Sequence, residues 1–158
     1  MALYMKYGSI KGAVTTEGFK DWIELHSFQW GVSRHIGTAQ RSMHGREHSE
    51  PNLSEITITK TTDASTPKLF LDAVAGKLDN KVTIKFTTTV KGKVETFLTW
   101  ELENTGLSHY SLSSGGDNPM ESLALNFTKI SETYSSMDPG RGGSPETVGY
   151  DLTQMKAV

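Results

Sequence analysis

Residues 81–103 read KVTIKFTTTVKGKVETFLTWELE, and the fold turns on them. Val82, Ile84 and Phe86 alternate with Lys81, Thr83 and Lys85. Beyond Lys91, Gly92 and Lys93, the apolar Val94, Leu98, Trp100 and Leu102 alternate with Glu95, Thr99, Glu101 and Glu103. Successive side chains of a strand point to opposite faces, so a period of two marks a strand with one face buried. Two such runs around a short glycine-containing turn predict a β-hairpin.

The same period extends outward in both directions. Ile56 and Ile58 alternate with threonines, and Leu123, Leu125 and Phe127 alternate with Ala124, Asn126 and Thr128. Leu3–Tyr7, Leu107–Leu112 and Val148–Leu152 are shorter strand candidates. Within Trp22–Val32 the phase changes: Ile23 and Leu25 share one face, and Phe28, Trp30 and Val32 take the other. One extra residue flips an alternation, so a β-bulge is expected near His26–Ser27. One segment has helical spacing instead. Ser65 and Thr66 offer a capping hydroxyl, Pro67 suits the first turn, Leu69, Phe70, Ala73 and Val74 form an apolar stripe, and Gly76 ends it. Two stretches lack any period, Arg34–Pro51 and the Gly-, Ser- and Pro-rich Ser135–Gly149. The expected architecture is a single mainly β domain over 1–158. It is an antiparallel two-sheet β-barrel or tight sandwich with one short α-helix on its side and a long loop at about 34–51.

Composition removes several function classes. The 158 residues include no cysteine, so disulfides, thiolate metal sites and a cysteine nucleophile are excluded. The formal net charge of −2, with a pI of about 6.2, gives no basic field for nucleic acid or an anionic membrane. MALYMKYGSIKG has no long apolar run, so it does not read as a signal peptide, and no stretch has the length of a membrane span. A protein of this kind that leaves the cell needs a dedicated machine.

No catalytic, metal or cofactor site assembles from the motifs. His44 and His48 have the spacing of helical metal ligands, but Gly45 and Pro51 oppose a helix. Glu95, Glu101 and Glu103 share one strand face, the arrangement of a solvated edge rather than of two carboxyls across a cleft. There is no G-x-S-x-G elbow, and Ser113–Asp117 is glycine-rich without a following Lys-Ser/Thr, so it reads as a hairpin connection. The chain is expected not to be an enzyme.

Association with other copies is expected instead. Phe97 is out of phase with Leu98 and Trp100, and Trp22, Phe28 and Trp30 oppose Ile23 and Leu25. Such two-sided strands leave Trp22, Phe28, Trp30 and Phe97 as subunit-interface candidates, because each large apolar side chain gains about 1.5–3 kcal/mol when buried. Residues 34–48 carry Arg34, Arg41 and Arg46 against Glu47, with His35, His44 and His48, whereas 132–151 carry four carboxylates against Arg141. In a repeating assembly these patches can meet head to tail. The alternative is a monomeric carbohydrate-binding β-sandwich using Trp22, Trp30 or Trp100 as an aromatic platform.

Four blocks resemble, in order, the Hcp family of type VI secretion tube proteins. WIELHSFQWGVS (22–33) is similar to its I-E-V-x-S-W-S-W-G-x-S strand. LSEITITKTTDASTPKL (53–69) is similar to its T-K-x-x-D-x-(S/A)-(S/T)-P-x-L block. ESLALNFTKI (121–130) and GYDL (149–152) are similar to its E-x-(V/L)-x-L-N-F and terminal G-W-D/N strands. The resemblance implies homohexameric rings that stack into the inner tube of a contractile machine, inside a sheath, on a baseplate and below a trimeric spike. It implies that small effector proteins ride in the ring lumen, that the protein passes from the bacterial cytoplasm to the exterior or a target cell, and that no catalytic residue or cofactor is involved. The long loop, with Arg34, His35, Arg41, His44, Arg46 and His48, would contact the next ring. Gln29, standing where the family often has serine, would face the lumen and change which cargo fits. The chain ends soon after the terminal strand, so no fused effector domain is expected.

Overall fold

The computed structural model describes residues 1–37, 49–136 and 144–158. In chain order its elements are β1 (Ala2–Tyr7), β2 (Ile23–Leu25), β3 (Ser27–Gln29), β4 (Val32–Ser33), β5 (Asn52–Leu53), β6 (Ile56–Thr61) and α1 (Thr66–Ala75). There follow β7 (Asn80–Val90), β8 (Lys93–Ser113), β9 (Met120–Asn126), β10 (Lys129–Tyr134), β11 (Glu146–Asp151) and β12 (Lys156–Ala157).

The hairpin predicted from residues 81–103 is β7–β8. Its last pair is Val90 with Lys93, and Lys91 (φ 49°) and Gly92 (φ 78°) both lie in the left-handed region. Two left-handed residues make the turn whose twist matches that of the flanking strands. β8 then runs further than its alternation suggests: Leu107–Leu112, expected as a separate strand, is its continuation. The strand turns a corner at Asn104, which has φ 51°, so that its first half pairs with β7 and β10 and its second half, from Gly106, pairs with β9.

Two bulges set the phases that looked anomalous. His26 N–H donates to Thr59 O at 2.8 Å and Ser27 also pairs with Thr59, so two residues face one. Both are exposed, and the inward positions shift from Ile23 and Leu25 to Phe28, as predicted. On β8, Leu98 pairs with Phe86 but Thr96 pairs with Thr87, leaving Phe97 as the inserted residue. The bulge gives Phe97 its odd phase locally, and its half-buried ring lies 6.3 Å from that of Phe86.

The run Ile23–Gln29 closes the structure. β2 pairs with β1 and β3 pairs with β6, so the ladder passes from β1 through β2–β3, β6, β9, β8 and β7 and returns to β1. Closure removes free edges. β10, β11 and β12 continue from the first half of β8 as a wing, with β11 starting at Glu146, inside the stretch that reads as loop. Met5, Ile23, Ile56, Ile84, Leu102 and Leu123 fill the interior with no solvent exposure.

The two mouths of the barrel are closed differently. At one, Phe28 packs against Phe86 (5.2 Å between ring centroids) and Trp100 (5.5 Å), with Trp30 on Trp100 at 5.1 Å. At the other lies α1. Leu69 is fully buried and Ala73 packs on the core, but Phe70 and Val74, expected on the same stripe, are 55% and 66% exposed. A narrow face of the helix thus meets the barrel. β4 and β5 pair as a short ladder, extended by Ser49 N–H to His35 O at 3.0 Å, and most of the stretch expected as a long loop, residues 38–48, lies outside the described residues.

Candidate functional site

Between α1 and the barrel lies a buried polar cluster. Lys60, at the end of β6, and Glu121, at the start of β9, are cross-strand partners, and both are fully buried. Lys60 Nζ donates to Glu121 Oε2 and to Thr61 O (2.8 Å), and lies 3.1 Å from Asp63 Oδ1. Glu121 Oε2 also accepts from Thr66 Oγ1 at 3.0 Å, and its Oε1 accepts from Tyr110 Oη. Asp63 accepts from the Ser65 N–H (2.8 Å) and hydroxyl. Every member is satisfied, the condition under which a buried charge pair is tolerable.

These contacts explain the TKTTDASTP block. Its charged and hydroxyl residues fasten the first turn of α1 onto β6 and β9. Ser65 occupies the cap position but makes no side-chain cap bond, because its hydroxyl is turned to Asp63. The middle of the helix is tied separately. Buried Tyr7 donates to Asp72 Oδ2 at 2.6 Å, and Asn80 Nδ2 bridges Asp72 Oδ1 and Thr105 O, both at 3.1 Å. Burial, and then the hydrogen bond and charge of Asp72, push the Tyr7 phenol well above its ordinary range. Burial and Glu121 push Tyr110 up to about 12.

Sequence reasoning assigned this cluster no role, although a signal was present. Lys60 is in phase with Ile56 and Ile58, and Glu121 with Leu123 and Leu125. Opposite charges at core positions of two strands are expected to pair if those strands are neighbours.

The residues singled out from the sequence are dispersed. Arg34 and His35 are exposed beyond the β4–β5 stem, whereas Arg41, His44, Arg46 and His48 lie outside the described residues. Gln29 is exposed on β3. Trp22 is half-buried against Phe19, with Lys85 Nζ 5.5 Å from its ring. Phe28 and Trp30 are half-buried against Trp100. Trp100 itself is only 7% exposed, which rules it out as a platform for a flat ligand. Glu95, Glu101 and Glu103 are exposed, but they form no edge and do not all share a face: β8 is paired with both β7 and β10 around Glu101, and the bulge at Phe97 places Glu95, opposite Thr88, on the other side from Glu101, opposite Thr83. Among the described residues no group of three His, Asp or Glu is placed to hold a metal, and no helix is long and apolar enough to cross a membrane.

Fold and cluster together define a class: a closed antiparallel barrel whose buried charges fasten α1 across one mouth. Solved structures share the fold. The chain is similar to a structure described as a type six secretion system protein, with 24% identity, 99% of each chain covered and a TM-score of 0.88. It is similar to Hcp1 from Salmonella typhimurium, with 19% identity over 99% of this chain and 98% of the other and a TM-score of 0.73. It is also similar to a type VI secretion system effector from Yersinia pestis, with 18% identity over 94% and 98% and a TM-score of 0.73. No curated protein matches by sequence. Residues 4–134 match the family model described as type VI secretion system effector, Hcp, and the chain belongs to that family. It is therefore a protein of the type VI secretion system Hcp family.

Proposed function

We propose that this chain forms homohexameric rings that stack into the inner tube of a type VI secretion system and are expelled with it, carrying small effector proteins in the lumen. The observation that carries this reading is the match of the family model over residues 4–134. A second feature supports it: Leu71, Val74 and Val148 are 61%, 66% and 56% exposed, apolar surface that another copy would cover. In this reading the outer face of β3, β6 and β9 lines the lumen. Its side chains there, Ser27, Gln29, Thr57, Thr59 and Ser122, are uncharged, and Ser27 is hydrogen-bonded to Thr59 at 2.6 Å. Gln29 is the longest of them and sets the room for cargo. Arg34, His35 and the loop beyond contact the next ring, the sheath surrounds the tube, and spike and baseplate engage its ends.

Light scattering and negative-stain microscopy of the purified protein test the reading. Rings several times the 17.4 kDa subunit mass are expected. A species that stays monomeric from micromolar to millimolar concentration would refute it. If the loop meets carboxylates of the next ring, raising salt shortens stacks while leaving rings intact.

A further inference from the structure

The segment that joins β1 to β2 folds back on the outside of the barrel. Its Phe19 stacks on the outward-facing Tyr4, with ring centroids 4.6 Å apart. The two arms of the segment are stitched together by backbone: Gly12 N–H donates to Asp21 O at 2.8 Å, Asp21 N–H to Val14 O at 2.9 Å and Val14 N–H to Trp22 O at 3.2 Å. Gly8 N–H donates to Lys81 O at 3.0 Å and anchors the first turn on β7. The arms approach so closely that a Cβ at Gly12 would lie 2.3 Å from the Trp22 carbonyl oxygen. Asp21 has φ 66°, a conformation that a residue with a side chain keeps only where its surroundings hold it. These contacts fix the spacing of the side chains that the two arms carry.

Between the arms lies a pocket of about 220 Å³ lined mainly by Lys6, Ser9, Lys11, Lys20, Asp21 and Trp22. Three lysines stand against one aspartate, a local excess of two positive charges in a chain whose net charge is −2. Lys6, Lys11 and Lys20 make no ion pair among the described residues, where both ion pairs belong to Lys60. The geometry points to a binding site in this pocket for a phosphate-bearing anion. Charge and donor type select that ligand. Lysine acts on phosphate as a point charge, whereas a carboxylate is matched best by the planar fork of arginine, and no arginine lines the pocket. A phosphate monoester carries about −1.5 to −2 at pH 7 and balances the local excess, which a single carboxylate would not. Size agrees as well. An apolar cavity of about 150 Å³ accepts a benzene-sized guest, so this pocket has room for one or two phosphate groups. The Ser9 hydroxyl can donate to a phosphate oxygen, and half-buried Trp22 supplies an apolar wall. Soluble phosphates and the phosphate headgroup of a lipid present the same chemistry to the three lysines. The site is complete within one copy, so the inference does not depend on the ring reading.

Two titrations of the full chain test the site. In the first, pyrophosphate is added at constant ionic strength and the heat is measured by calorimetry. In the second, the protein is sedimented with phosphatidylcholine vesicles that contain or lack phosphatidic acid. Saturable binding is expected in at least one of them. The Lys11→Ala, Lys20→Ala double variant should bind about five- to ten-fold more weakly, and both positions are exposed, so the fold tolerates the changes. A control double variant, Lys68→Ala with Lys156→Ala, removes the same charge from exposed positions outside the pocket and should bind as the unaltered chain does. Pyrophosphate binding without vesicle binding would identify a soluble phosphate as the ligand. Binding to phosphatidic acid vesicles alone would identify the headgroup. No saturable binding in either titration would overturn the inference. So would equal weakening in the two double variants, since only the overall charge of the protein would then be at work.

Discussion

Replacing Glu121 by leucine tests whether the buried cluster is one cooperative unit. The change removes the acceptor of three hydrogen bonds, from Lys60, Thr66 and Tyr110. Breaking a buried ion pair by deleting one partner costs about 3–5 kcal/mol, because the other charge stays in low dielectric. Lys60 keeps Thr61 O at 2.8 Å and Asp63 at 3.1 Å, which places the loss near the lower bound, about 3 kcal/mol. Lys60→Met should cost about 2 kcal/mol, since Glu121 retains its Thr66 and Tyr110 donors. The double variant leaves neither charge buried. Thr66 still accepts from Asp63 N–H at 3.1 Å, and Tyr110 is near enough to solvent to hydrate. Its stability should therefore lie within about 1 kcal/mol of the original, as for other buried pairs replaced by apolar groups. Urea denaturation followed by tryptophan fluorescence, at one protein concentration because assembly adds to apparent stability, gives the four free energies. A double variant that loses the sum of the single losses would show that Lys60 and Glu121 act independently, and the account of the cluster would be wrong.

Further tests concern the tethers and the turns. Asp72→Ala strips the acceptor from buried Tyr7 and should cost about 1–3 kcal/mol, and Tyr7→Phe in that background should recover part of it in the same assay. Gly149→Ala should cost about 1–3 kcal/mol, since an added Cβ would lie 2.6 Å from the Ile130 carbonyl oxygen, which is ladder backbone and has little freedom to move. Alkaline titration should destabilise the fold. Tyr7 and Tyr110 are both raised above the ordinary value of 10.0, so above about pH 10 the unfolded chain loses protons that the folded one keeps. The Tyr110 contribution is complete below pH 10 and lost by about pH 12, so Tyr110→Phe should flatten the fall of the urea midpoint in that window. An unchanged slope would detach Tyr110 from the cluster.

Much of this fold is legible because alternation and turn chemistry are local. The β7–β8 hairpin follows from residues 81–103, the helix bounds follow from Pro67 and Gly76, and the bulge follows from the phase change at His26 and Ser27. What was misread depends on partners far along the chain. Leu107–Leu112 looks like its own strand because Asn104 interrupts the alternation, yet a left-handed residue turns the strand without ending it. Phe97 looks like evidence of a second apolar face because the β7 register is not visible in β8 alone. Phe70 and Val74 look like core because helical spacing gives the angle between side chains but not which side meets the barrel.

Polar side chains settle which side of α1 turns inward. A stripe through Leu69 and Ala73 and another through Phe70 and Val74 could each pack on the barrel, and burying the larger pair would gain more area. Rotating the helix to do so would move Thr66 and Asp72 away from Glu121 and Tyr7. A fully buried lysine–glutamate pair and a buried phenol would then lose partners, at about 1–3 kcal/mol for each unsatisfied group. That loss outweighs the aliphatic gain, so α1 seats on its smaller stripe and leaves the larger one outward. The exposed apolar ridge of α1 is thus a consequence of the charges beneath it. It follows that in the Lys60→Met, Glu121→Leu double variant, global stability and the seating of α1 should separate. The fold should persist while the helix gains freedom to roll, and the amides of α1 should exchange hydrogen faster than in the unaltered chain while those of β7 and β8 keep their protection. Helix amides protected as before in that variant would mean that packing of Leu69 alone fixes the ridge.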